Sequence, residues 1–275
     1  MNKYIINEEI ILFDYLKKLF PNKSKNNIKS LLKNECITIN NNITTKYNHL
    51  LKQNDILCII NKINNLNIIY EDNNIIVINK PSGLLTISNE KEKINTLYHY
   101  VLEYLKMKKQ KVFIVHRLDQ DTSGIIMFAK NEKTKKLYQD NWNNLVIKRG
   151  YIAIVCGKTK DEGTIKSYLK EDKNMMVHSS SSGKLAITHY QKLKSNDNYT
   201  MLQIYIDTGR KNQIRVHMKE NGTPIIGDKK YGCNDNSLKR LGLHANILIV
   251  KNPVNNNILE FFSEYPNEFN NLFRR

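Results

Sequence analysis

Acidic residues, long apolar runs and clustered cysteines are what this chain is short of. Asp and Glu number 26 against 43 Lys and Arg, leaving a formal net charge of +17 and a pI near 9.5. Solubility alone is served as well by balanced charge, so the excess argues for a polyanionic partner, nucleic acid ahead of an acidic membrane face. No uninterrupted apolar stretch approaches the ~18 residues a membrane helix needs. The start, Met1-Asn-Lys-Tyr-Ile-Ile-Asn-Glu-Glu9, carries no basic patch leading into a long apolar run. The expectation is a cytoplasmic protein with no membrane association. Cys36, Cys58, Cys156 and Cys233 stand at no zinc-ligand or redox-motif spacing and read as reduced, mostly buried thiols.

What is present fits one large domain and a small one, with 275 residues and 40% hydrophobic content for the cores. Residues 11–20 carry apolar side chains at 12, 16, 19 and 20, a helical spacing that stops at Pro21. A second helix follows, capped by Ser24, with Ile28, Leu31 and Leu32 on its buried side and Lys25, Lys29 and Lys33 recurring every four residues. That stripe is spaced to straddle RNA phosphates; the plainer reading is a solvated surface. Short strands are expected at 37–39, 43–45 across an Asn-rich turn, and 56–60. Residues 1–62 thus read as a small unit whose ten lysines against five acids give +5. Asn61–Asn67 reads as a linker, and 68–275 as the second domain.

In that second part, strand-like runs lie at 68–70, 75–79, 112–115, 124–129, 150–156, 185–193, 199–206 and 243–250, with helices at 97–106, 131–142 and 213–220. The irregular alternation excludes a regular βαβ repeat and predicts α+β, a mixed, mainly antiparallel sheet with helices. Between two of these runs lies His116-Arg-Leu-Asp-Gln-Asp-Thr-Ser-Gly124, a polar loop braced by core strands and a better place for chemistry than for packing.

This loop resembles the signature of the RluA-type pseudouridine synthases. Three further stretches resemble the same family in the same order: Tyr70-Glu-Asp-Asn-Asn-Ile-Ile-Val-Ile-Asn-Lys-Pro-Ser-Gly83, Lys148-Arg-Gly-Tyr151-Ile-Ala-Ile-Val, and Thr208-Gly-Arg-Lys-Asn-Gln-Ile-Arg-Val-His217, with Leu243-His-Ala245 closing the set. The resemblance implies an α+β synthase domain and the isomerisation of uridine within RNA. It also implies that residues 1–62 are an S4-like RNA-binding domain. By the same resemblance, Asp119 matches the catalytic carboxylate and Asp121 falls in a variable slot. Arg215 matches the cation that keeps that carboxylate charged, and Tyr151 the active-site tyrosine that stacks on the flipped base and assists removal of the C5 proton. Two positions depart from the family pattern: Asn212, where His is frequent, and Asn252, in Lys251-Asn-Pro253 where His-Pro is common.

The residues suit such a reaction. A carboxylate is able to attack C1′ or the uracil ring, stabilise an oxocarbenium-like sugar, or take the C2′ proton, and the sequence leaves these routes open. In a largely dry pocket it needs a nearby cation, and arginine forks onto carboxylates at any working pH. The plainer readings are a phosphate clamp for Arg215 and core packing for Tyr151 and Ile214; Ile214 otherwise walls the pocket. A uridine in structured RNA must be flipped out, and Arg117 is the candidate wedge. His116 either touches phosphate or holds the loop. His217 and His244 lack metal-ligand spacing, so neither metal nor cofactor is expected. A monomer acting on RNA is the reading, ribosomal RNA ahead of transfer RNA. The rival is a non-catalytic RNA-binding or ribosome-assembly factor, for which a desolvated carboxylate facing phosphates has no use. A glycoside hydrolase would need a second acid partner, and none is evident.

Overall fold

Capping and spacing rules fix most of the elements, and the structure, a computed structural model, describes residues 2–21, 23–33, 36–59, 66–90, 92–232, 235 and 237–274. The chain divides into two compact units: Met1–Leu66 with Ile87–Lys109, and Asn67–Thr86 with Gln110–Arg275. The boundaries read from sequence at 62 and 68 do not foresee that residues 87–109 join the N-terminal unit. Most of the expected linker lies outside the described residues.

The first unit holds β1 (Asn2–Ile5), β2 (Ile10–Ile11), α1 (Leu12–Leu19), α2 (Lys25–Lys33), β3 (Ile37–Ile39), β4 (Asn42–Ile43), β5 (Leu50–Leu51), β6 (Ile56–Ile59) and α3 (Leu97–Met107). Helix α1 buries Leu12 and Leu16, four residues apart, and α2 buries Ile28 and Leu32 likewise, all in one core with Ile6, Ile37, Leu51 and Leu57. Fully burying each such side chain is worth roughly 1.5–3 kcal/mol. Ser24 caps α2 as expected, its Oγ accepting from the Asn27 amide at 3.2 Å. Thr96 caps α3 by accepting from the His99 amide at 3.2 Å. The β3–β4 hairpin turns through Asn40 and Asn41 at φ 49° and 68°, the double positive φ that a two-residue turn demands and asparagine tolerates.

The second unit holds β7 (Ile68–Glu71), β8 (Ile75–Lys80), β9 (Phe113–Ile114), β10 (Ser123–Ala129), α4 (Glu132–Asp140), α5 (Trp142–Leu145), β11 (Val146–Cys156), β12 (Glu162–Glu171), β13 (Val177–Ser179), β14 (Lys184–Ser195), β15 (Tyr199–Ile206), α6 (Gln213–Glu220), β16 (Leu243–Lys251), β17 (Ile258–Phe262) and α7 (Asn267–Asn271). One sheet runs β13-β12-β14-β15-β11-β16-β10-β8-β7, with β17 added to β16 and β9 to β10. Every pairing is antiparallel except β10 with β16. Strand β16 is therefore the seam between two halves of the sheet. Mixed, mostly antiparallel sheet with helices is the α+β architecture expected.

Several details differ from the sequence reading. The run at 112–115 pairs only at Phe113–Ile114. The helix expected over 131–142 ends at Asp140, because Asn141 leaves helical geometry at φ −122° before α5 resumes. Strand β12 was not foreseen: its inward positions are Gly163, Ile165, Ser167 and Leu169, so half of them carry no apolar signal. Cys36 and Cys58 are buried and in no disulfide, but Cys156 is disulfide-bonded, which corrects the expectation of four reduced thiols; Cys233 lies outside the described residues. Among the described residues no helix is long and apolar enough to cross a membrane.

The parallel seam is short, Ser123 opposite His244 and Gly124 opposite Ala245. Gly124 has φ +111°, and a Cβ there would lie 2.1 Å from the Ala245 carbonyl oxygen, so only glycine allows this approach. Gly124→Ala should cost about 3 kcal/mol or more in urea unfolding; a variant as stable as wild type would show that the backbone relaxes without loss.

Candidate active site

Main-chain carbonyls of the 116–124 loop are pinned by side chains from the turn that follows β8. Lys80 is almost wholly buried, and its ammonium donates to the carbonyls of Pro81 at 3.0 Å, Leu84 at 2.7 Å and Gln120 at 2.8 Å. Burial pushes its pKa down to about 7, while Asp121 and Asp119 pull the other way. Ser82 donates to the Asp121 carbonyl at 2.6 Å, and the Thr86 hydroxyl donates to the Leu118 carbonyl at 2.7 Å. Asp119 is thus the side chain of a loop whose backbone is fixed on both sides of it. His116 is held as well. Burial and the nearby Arg149 push it down to about 3, and its neutral Nε2 accepts from the Met127 amide at 3.0 Å. That contact favours holding the loop over touching phosphate.

The second cluster comes from the start of α6. Gln213 spends its amide on the loop before it: Oε1 accepts from Thr208 Oγ1 at 2.8 Å and the Arg210 amide at 3.0 Å, and Nε2 donates to the Ile187 carbonyl at 2.9 Å. Asn212 adopts left-handed backbone at φ 54°. Arg215, one turn into the helix, donates from Nε and Nη2 to the two oxygens of Asp228, each at 2.7 Å, and from Nη1 to Asn212 Oδ1 at 3.1 Å. Nη1 lies 3.6 Å from Asp119 Oδ2, an ion pair too long to be a hydrogen bond. Asp228 also accepts from the amides of Lys230 and Tyr231 at 2.9 Å. Burial alone would raise its pKa, but the Arg215 bonds and these amides bring it below the usual carboxylate range. The Tyr231 ring closes the cluster, its centroid 5.2 Å from the guanidinium.

Tyr151 enters from β11. The β11–β16 register slips between Gly150 and Tyr151, so that Asn246 has no opposite number, and Asn246 instead exchanges amide bonds with Gln203, which also donates to the Tyr151 carbonyl at 3.1 Å. Such irregularities re-aim a side chain. Burial raises the Tyr151 pKa, and Asp119 adds to it against the opposing pull of Arg149. Its phenol therefore keeps its proton.

Asp119, Tyr151, Arg215, His116, Arg117 and Ile214 all line one cleft of about 730 Å³, a size suited to a small ligand. Lys25 and Lys29 are exposed on α2 in the other unit, and the Lys33 side chain lies outside the described residues. Sequence reasoning missed Arg149, which also lines the cleft. Its Nη2 donates to the Asp207 carbonyl at 2.6 Å, and the guanidinium lies 5.8 Å from the Trp142 ring centroid. It missed Asp228 and Tyr231 too; the only signal was a Gly227-Asp228 pair followed by Tyr231-Gly232, which reads as a turn. Asn212, a departure from the family pattern, touches Arg215 directly. Among the described residues no group of three or more His, Cys, Asp or Glu is placed to hold a metal ion.

Comparison with known proteins gives a consistent result. Residues 74–220 match the family model described as RNA pseudouridylate synthase. The "Uncharacterized RNA pseudouridine synthase YhcT" of Bacillus subtilis (strain 168) is 33% identical over 246 residues, covering 86% of this chain and 82% of its own. "Ribosomal large subunit pseudouridine synthase C" of Rickettsia bellii (strain RML369-C) is 33% identical, covering 94% of this chain and 95% of its own. The solved structure "Human RNA Pseudouridylate Synthase Domain Containing 4" superposes with a TM-score of 0.62 over 75% of this chain and 92% of that one, at 24% identity, a likeness of fold.

Beneath the Asp119 loop a buried histidine gives a pH prediction. Arg240 donates to Ser123 Oγ at 2.5 Å, so the serine proton goes to His244 Nδ1 at 2.8 Å and His244 Nε2 faces Ser263 Oγ at 3.2 Å, a neutral imidazole. Burial, with Arg240 adding, pushes its pKa down to about 4. Between pH 6.5 and about 4 the unfolded chain binds the proton that the folded chain refuses, so stability falls as pH drops through that window. From pH 6.5 to 4.5 the urea-unfolding free energy of wild type should fall about 2 kcal/mol further than that of His244→Gln; equal losses would mean the histidine is free to charge in the folded state.

Proposed function

Because the chain belongs to the RNA pseudouridine synthase family, of the RluA type, we propose that it isomerises specific uridines of structured RNA through Asp119, with ribosomal RNA the favoured substrate and transfer RNA the other candidate. The observation that carries this reading is the convergence of Asp119, Tyr151 and Arg215, from three distant segments, on one cleft with a guanidinium nitrogen 3.6 Å from the carboxylate. The relatives named as ribosomal large subunit synthases favour ribosomal RNA.

The reaction breaks the bond between N1 and C1′, turns the ring, joins C5 to C1′ and moves the C5 proton, with no electrons gained or lost. Asp119 opens it by attack at C1′ or on the ring, by stabilising the sugar cation, or by taking the C2′ proton. Since Arg215 stands beyond hydrogen-bond distance, the carboxylate lone pairs stay free while the positive charge remains close. The protonated Tyr151 stacks on the flipped uracil, and its hydroxyl assists removal of the C5 proton by passing its own proton to water as it takes that one, while N1 takes up a proton from water. Ile214 gives an apolar wall, and the exposed Arg117 fills the gap left in the RNA stack. No metal or cofactor takes part in this scheme. The N-terminal unit acts as an S4-like RNA-binding domain through Lys25 and Lys29, both exposed on α2.

Tritium release from C5-labelled ribosomal and transfer RNA tests the chemistry. Wild type should release tritium, and Asp119→Asn should lose about 10³-fold or more in rate while binding RNA within a few fold; matching release by the two proteins would end the assignment of Asp119. For the RNA-binding reading, Lys25→Gln with Lys29→Gln should reduce the slope of log affinity against log salt by about 1–2. An unaltered slope would remove α2 from the RNA contact.

A further inference from the structure

Tyr47 is 57% exposed. Among the described residues nothing bonds its hydroxyl. Its backbone, by contrast, is held firmly. The Tyr47 carbonyl accepts from the Phe13 amide at 3.1 Å and the His49 carbonyl from the Leu12 amide at 2.8 Å. These are first-turn amides of α1, whose N-cap position, Ile11, makes no side-chain capping bond. The 46–49 loop is therefore the cap of α1, and the ring it carries is fixed at its root while open at its face.

The surroundings are cationic. Lys29 of α2 holds its Nζ 5.8 Å from the Tyr47 ring centroid, at the margin of a cation–π contact. The neighbouring Lys46 and His49 line a hollow of about 540 Å³ with Lys52 and Asp55. Asp55 is its one acid, and both oxygens are engaged: Oδ1 with Asn40 Nδ2 and Oδ2 with the Lys52 amide, each at 2.8 Å. A largely exposed aromatic ring with a fixed backbone, a lysine over it and, among the described residues, no unengaged carboxylate lining the adjacent hollow matches a stacked base and its phosphate. An acidic peptide would use the lysines and leave the ring idle.

We propose that Tyr47 is a stacking platform for an unpaired base of the bound RNA, with Lys29 taking the adjacent phosphate; this rests on the reading of the N-terminal unit as RNA-binding. Because any base has a π-face, the platform selects unpaired nucleotides over duplex rather than one sequence. It is thus a second point of contact, separate from the cleft that takes the uridine.

The test uses the full chain and an oligoadenylate strand, which contains no uridine for the cleft, beside an equal-length strand of abasic sugar-phosphate. By fluorescence anisotropy, Tyr47→Ala should weaken oligoadenylate binding roughly tenfold or more, Tyr47→Phe should stay within about twofold, and the abasic strand should not distinguish them. Lys25→Gln should weaken both strands. Equal oligoadenylate affinity of wild type and Tyr47→Ala, an equal loss on the abasic strand, or no binding of oligoadenylate by wild type would overturn the platform. If Tyr47→Ala changes nothing while Lys25→Gln weakens both strands, the platform falls and RNA contact by the unit stands. If neither variant changes anything, both fall.

Discussion

The guanidinium of Arg215 is the interaction on which the geometry of the cleft depends. Asp228 is fully buried, and an unpaired carboxylate there would be untenable. Arg215 and two backbone amides satisfy it completely. That arrangement uses up the Nε and Nη2 edge of the arginine and leaves Nη1 for Asn212 and, at longer range, Asp119. One cation therefore stands between two anions of unequal status: one locked and structural, the other loosely attended and open to substrate. Asn212, in its left-handed conformation, and Gln213, with every amide atom engaged, set the helix start that aims the arginine.

A similar division of labour explains the loop that bears Asp119. Lys80, Ser82 and Thr86 grip its main chain through carbonyl oxygens, and the exposed Gln120 adds a bond from its Nε2 to the Gly83 carbonyl at 3.1 Å. Lysine suits the central position because its three donors meet three carbonyls inside the fold. The Lys-Pro-Ser-Gly turn is thus a brace that sets the backbone position of Asp119.

Much of this was legible in the sequence, and the remainder was hidden for identifiable reasons. Strands with apolar alternation or continuous apolar runs were readable, as was α6, whose ends at Asn212 and Gly222 follow backbone rules. Strand β12 was not, because Gly163 faces the Tyr190 ring, where a Cβ would lie 2.6 Å from it, and Ser167 faces buried His217. Asp119, Tyr151 and Arg215 were singled out by family resemblance, and the fold brings them to one cleft. Asp228 was not, since a carboxylate beside a glycine reads as a solvated turn until its depth is known. Residues 87–109 show no shift in composition at either boundary, so their membership of the first unit is a tertiary fact.

Strand β16 joins the half of the sheet carrying the Asp119 loop to the half carrying Tyr151 and the approach to α6. It occupies residues 243–251. During synthesis both halves can acquire local pairing, but they have no common frame until that strand has emerged, and the hydrogen bond between Ser123 and His244 spans 121 residues. Asp119, Tyr151 and Arg215 all precede residue 243, so a polypeptide cut short before β16 carries the three side chains without the strand that joins their halves of the sheet.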